Sequence, residues 1–148
     1  MEAAVRVARA RTLYVNVMRD HPDPVPDRKL TMRRDPLDAL RELCGIFPEF
    51  ERWWNEEEAE DSLVDGVHLE LTNHRVLMEF VGFFAKHHGS FTATQLRSFG
   101  AWVNEAVAID DDLENAVSTC FLEHCRALQL NRILAPYLSP PTKRKSRP

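Results

Sequence analysis

The chain has 148 residues, of which 44% are hydrophobic and 28% charged, with a formal net charge of −4. That length holds one real core and leaves no room for a separate cofactor domain, and the composition excludes wholesale disorder and a fibrous class. No apolar run approaches the ~20 residues that cross a bilayer, and Arg6, Arg9 and Arg11 precede neither an apolar stretch nor a small-residue cleavage site, so no membrane partner and a cytoplasmic location are expected.

Residues 1–34 differ from the rest of the chain. They begin rich in Arg and Ala, and the run Asp20-His-Pro-Asp-Pro-Val-Pro-Asp27 favours extended and turn conformations over helix. The segment reads as detachable, with Met32 as an alternative start of translation, or as a basic arm that binds something. A short helix over Arg6 to Met18 is compatible with its composition.

Asp35-Pro36 is an N-cap followed by proline at the first helical position. Leu37, Leu40, Leu43, Cys44 and Phe47 then form an apolar stripe at helical spacing, which Pro48 ends. A second helix, Glu49 to about Glu60, has Phe50, Trp53 and Trp54 on one side and glutamates around the rest. Asp65-Gly66 marks a turn, and Val67 to Leu71 alternates like a strand but has no partner, so it reads as a loop.

The third main helix, Asn73 to about His87, is apolar at Val76, Leu77, Phe80, Val81 and Phe84, a stripe wide enough for a central position, with Gly89 as a C-terminal cap. Thr92 or Thr94 opens the next helix, which carries Leu96, Phe99, Val103, Ala106 and Val107 and ends near Ile109. Asp111 and Glu114 then set up a capping box for the longest periodic stretch, with Leu113, Ala116, Val117, Cys120, Phe121, His124 and Leu128 on one face. From Ser139 onward the tail has no apolar residue to bury and is expected to be mobile.

These elements predict an all-α fold, a compact bundle of five or six antiparallel helices over residues 35–138. The predicted core is Leu40, Leu43, Phe47, Trp53, Leu77, Phe80, Val81, Phe84, Leu96, Phe99, Val103, Val117, Phe121 and Leu128. The three cysteines Cys44, Cys120 and Cys125 have no paired spacing, so reduced thiols are expected.

Charge becomes informative when divided by segment. Residues 1–34 carry eight Lys and Arg against four Asp and Glu, and residues 139–148 carry four cations and no acid. Residues 35–138 carry seven cations and nineteen carboxylates, a net −12. An acidic domain of this kind steers a basic partner by long-range attraction and repels phosphate, which argues for a basic protein partner and against nucleic acid. The candidate partner-binding residues are Glu56, Glu57, Glu58, Glu60, Asp61, Asp110, Asp111 and Asp112.

Chemistry-bearing patterns are sparse. No HExxH, CxxC, Gly-x-Ser-x-Gly or phosphate-cradling glycine loop occurs, so no catalytic, metal or cofactor residue is assigned. Cys120 and His124, four apart on one predicted helix face, and His87-His88 are the only suggestion of the alternative, a small His/Cys-using metal protein or enzyme.

Asn115-Ala-Val-Ser-Thr-Cys-Phe-Leu-Glu-His124, followed by Leu134-Ala-Pro-Tyr-Leu138 and preceded by Phe47-Pro-Glu-Phe50, resembles the signature of a group of small bacterial all-helical proteins with Phe-Leu-Glu in the last long helix. The likeness covers about residues 35–140. Such proteins look like immunity proteins of bacterial toxin systems, and the resemblance implies a non-catalytic domain that neutralises a partner. It transfers no catalytic residue. Glu123, within the motif, is expected to be a buried or half-buried carboxylate that holds a backbone group or an arginine such as Arg75 or Arg97.

Overall fold

A computed structural model describes residues 35–64, 70–109 and 111–145 of the chain, with side chains omitted for 58–64. The expectations for residues 1–34, for Met32 and for the Asp65-Gly66 turn lie outside the described residues. Every regular element among those described is helical, so the fold is all-α. No described helix is long and apolar enough to cross a membrane.

The chain divides into two units, one comprising Met1–Met32 and Arg52–Leu69, the other Arg33–Glu51 and Glu70–Pro148. In the described part of the first, Trp54 is buried and Trp53 only half-buried, which corrects the choice of Trp53 as the core residue.

The second unit opens with α1, Pro36–Ile46, whose N-cap Asp35 accepts a hydrogen bond from the Leu37 backbone N–H. Only Phe47 separates it from α2, Pro48–Val64. Pro48 therefore starts a helix as well as ending one, because its fixed φ suits the first turn, where its missing N–H costs nothing. Helix α3, Asn73–His87, is capped by Thr72 and has the predicted bounds. Its buried side chains include Val76, Leu77, Phe80, Val81, Phe83 and Phe84, an arc that makes it the central element. A 3-10 turn, His88–Ser90, comes next; the C-cap of α3 is His88, in the right-handed region, so Gly89 is not the C-terminal cap expected. Helix α4, Ala93–Ala106, has a full capping box between Thr92 and Gln95 and stops short of Ile109, which is exposed.

The last long helix departs most from its predicted register. It comprises α5, Asp112–Ala116, a π-helical stretch Val117–Leu122, and α6, Glu123–Ala127. A π turn inserts one residue into the α ladder, so every later side chain is rotated to a new azimuth. The predicted inward set Cys120, Phe121, His124 and Leu128 gives way to Phe121, Leu122 and Cys125. Leu128 is 52% exposed and is removed from the core, and Leu96 is half-buried. Glu123 is exposed, not the buried carboxylate expected. The helix ends at Gln129, whose φ of 60° is left-handed, with Leu130 N–H on the Cys125 carbonyl and Gln129 N–H on that of Arg126. That pair of bonds is the Schellman arrangement, here built without glycine.

Helix α7, Asn131–Leu134, a 3-10 turn, Ala135–Tyr137, and α8, Pro140–Lys145, complete the described chain. Tyr137 lies so close over Gly100 that a Cβ there would collide with Tyr137 Cβ. Asn104 clamps the same segment, donating to the Tyr137 carbonyl and accepting from the Ser139 N–H. The mobile tail expected from Ser139 is thus corrected for residues 140–145: Thr142 is buried and Lys145 pairs with Glu114. The hydrogen bond from Lys145 holds the Glu114 carboxyl below the usual carboxylate range.

The core is aromatic. All eight phenylalanines of the chain, from Phe47 to Phe121, belong to one connected set of ring contacts, with centroids 4.5–6.2 Å apart. Such spacing adds edge and offset ring interactions to plain burial.

Candidate functional site

The predicted acidic residues fall into three groups. Glu56 is exposed and Glu57 half-buried, both on α2. The side chains of Glu58, Glu60 and Asp61, together with Asp110, lie outside the described residues. Asp111 and Asp112 belong to the larger unit, and both are engaged there: Asp111 Oδ1 accepts from the Glu114 N–H as the N-cap of α5, and Asp112 Oδ2 accepts from Asn73 Nδ2 at 2.9 Å. Asp111 therefore holds up a helix end, and Asp112 fastens the start of α5 to the start of α3.

The acidic character nevertheless extends over the described surface of residues 35–138. Asp35, Asp38, Glu42, Glu49, Glu51, Glu56, Glu70, Glu105, Asp112 and Glu123 are exposed, against Arg52, Lys86, Arg97 and Arg132. No described carboxylate is fully buried. Glu42, missed from sequence, also accepts a hydrogen bond from the indole N–H of Trp102 at 2.5 Å, and so joins α1 to α4.

A second constellation has the residue types of thiol chemistry. His74, in the first turn of α3, has Nδ1 3.2 Å from Cys120 Sγ on the π stretch. Its Nε2 lies 3.4 Å from the Asn115 amide and 3.8 Å from Asp112 Oδ1. Thr119 is adjacent, its hydroxyl on the Asn115 carbonyl and 3.7 Å from the sulfur. Cys120 is half-buried, and the His74 and Asp112 side chains beside it are 42% and 54% exposed.

The Cys120–His124 pairing on which the alternative metal or enzyme reading would draw does not form. His124 is exposed and its Nδ1 lies 3.3 Å from the Thr119 carbonyl. His88 is tied to the Ala85 carbonyl, and the His87 ring packs on Phe83. Among the described residues no group of three or more His, Cys, Asp or Glu side chains is arranged to hold a metal ion. Burial pushes the thiols of Cys44 and Cys125 up to about 12, with Glu51 adding to the effect at Cys44.

His74 and Cys120 stand 46 positions apart, and nothing in their spacing joins them. The π turn that sets the Cys120 azimuth has no simple sequence signature, so the pair was not readable from helical periodicity.

Comparison of the chain with known protein families, curated proteins and solved structures finds no match. The resemblance to immunity-type proteins accordingly rests on the motif residues alone. Their places in the fold are physical ones: Phe121 and Leu122 enter the core, Glu123 faces solvent, and Leu134 and Leu138 are buried on either side of the Tyr137 contact with Gly100.

Proposed function

We propose that residues 35–138 form a non-catalytic protein-binding domain, of the immunity type, that captures a basic partner through its acidic surface in the cytoplasm. The observation that carries the reading is the imbalance of exposed charge over the described residues, ten carboxylates against six cations even with Arg144 and Lys145 of α8 included. Most of these carboxylates have no structural duty that would account for them. Glu49 and Glu51, in the first turn of α2, are exposed and suit the first encounter with a cationic surface. A field of this sign raises the association rate and discriminates against acidic competitors more than it adds affinity.

The test starts from a partner retrieved from the native host and measures association kinetics at two ionic strengths. The on-rate is expected to fall steeply as salt rises past ~0.1 M, where the Debye length is ~10 Å. Glu49→Gln and Glu51→Gln together are expected to slow association while leaving the melting temperature nearly unchanged, because solvated carboxylates contribute little to stability. A flat salt response sinks the reading. So does partner binding lost only through faster dissociation on Trp→Ala substitution, the mark of a burial-driven interface.

A further inference from the structure

The geometry points to Cys120 as a thiol-modification site, in which His74 accepts the thiol proton and the co-reactant is a low-molecular-weight disulfide. Three independent features meet there. Cys120 is half-buried, not sealed in the core, and its sulfur is in contact with an imidazole nitrogen. The opposite ring nitrogen faces a carboxylate, which favours the tautomer with Nε2–H toward Asp112 and leaves the Nδ1 lone pair for the sulfur proton. Asp112 is itself fixed by Asn73, so the orienting group does not drift. The Asn115 amide fits the same tautomer when its oxygen faces Nε2, a half-turn that leaves its shape unchanged.

The π stretch supplies the third feature. It carries Cys120 to the α3 side of the helix at His74 while its neighbour Phe121 remains fully buried. Cys44 and Cys125 serve as internal controls: Cys44 is half-buried like Cys120 and Cys125 is buried, and desolvation pushes both thiols up to about 12.

The step balances without a further reagent. The S–H bond of Cys120 breaks and its proton passes to His74 Nδ1, while the sulfur electron pair forms an S–S bond with one sulfur of the disulfide. The S–S bond of the reagent breaks, and the departing sulfur leaves as thiolate and takes the proton from the imidazolium. Cys120 is oxidised to a mixed disulfide, and half of the reagent is reduced to thiol.

Oxidised glutathione is the probe, with the full chain folded and the adduct located by peptide mass spectrometry. One adduct is expected, on Cys120, with Cys44 and Cys125 unmodified over the same interval. His74→Gln is expected to slow the reaction at least about tenfold with the helical circular dichroism retained, the loss of one general base. Should that variant fail to fold, the wild-type rate at Cys120 is compared with that of a free peptide spanning Ala116 to Glu123; the folded thiol is expected to react faster despite its partial burial. Equal modification of Cys44 or Cys125, an unchanged rate in folded His74→Gln, or a folded rate no higher than the peptide's overturns the proposal.

Discussion

Phe121 touches Phe80, Phe84 and Phe99 with ring centroids 5.1–5.6 Å away, and is fully buried. Truncation there removes a large apolar side chain and leaves a void that neighbouring rings, themselves locked by further rings, fill poorly. Phe121→Ala is therefore expected to cost ~3–5 kcal/mol in urea denaturation, and a loss below ~1 kcal/mol would mean that the site collapses freely. Cys125 gives a second residue-level expectation. Its thiol is held near 12 in the folded chain against 9.0 when unperturbed. Between those values the unfolded chain releases the proton and the folded chain keeps it, so stability falls as pH rises through the window, by up to about 1.4 kcal/mol per pH unit. Denaturation of wild type and Cys125→Ala at pH 8 and pH 10 isolates this contribution; equal losses in the two proteins would assign the slope to other groups. Single-residue burial was legible where the helix was regular, as at Leu40, Leu77, Phe80 and Phe99. It was not at Trp53, Glu123 and Leu128, whose faces depend on tertiary choices the local pattern leaves open.

At the scale of elements, helix starts were the most readable features, because Asp35, Thr92 and Asp111 each cap with their own side chains, although Glu114 bonds Ser118 and Lys145 and does not complete the expected capping box. Helix interiors were less so. One extra residue in the π stretch re-aimed everything from Leu122 onward, and periodicity alone does not distinguish a π turn from a straight α-helix. The C-terminal segment eludes sequence reading for a different reason: it docks through backbone and polar contacts at Tyr137, Asn104 and Lys145, which a search for apolar residues passes over. Gly100 is the tightest of these contacts, with the Tyr137 carbonyl oxygen 2.9 Å from where a Cβ would stand. Backbone on one side and the helix on the other leave little room to yield. Gly100→Ala is expected to destabilise by ~1–3 kcal/mol, outweighing the helix propensity it gains, and to loosen residues 135–145 first. Amide hydrogen exchange over that segment measures it; unchanged protection would show that the chain moves aside at no cost.

For the whole molecule the governing quantity is charge, and the cysteine–histidine site shows its limits, since that site depends on two side chains and no bulk property reveals it. Charge was legible from sequence because like charges cannot hide in a core: every described carboxylate of residues 35–138 is exposed or half-buried. Those residues carry −12 while residues 1–34 and 139–148 carry +4 each. Carboxylates in such excess repel one another, and the folded state concentrates them more than the unfolded chain does. At 0.01 M ionic strength the Debye length is about 30 Å, so repulsion reaches across a domain, whereas at 0.15 M it is about 8 Å and only near neighbours interact. The melting temperature should therefore rise by a few degrees between those salt concentrations, a sign opposite to that of a protein held together by ion pairs. Removing residues 1–34 takes the total from −4 to −8 and is expected to enlarge the rise. Thermal denaturation of the full and shortened chains at both ionic strengths measures the two effects together. A melting temperature that falls with salt would show that attractive pairs such as Lys145–Glu114 outweigh the net repulsion, and would leave the acidic surface without the long-range field that partner steering requires.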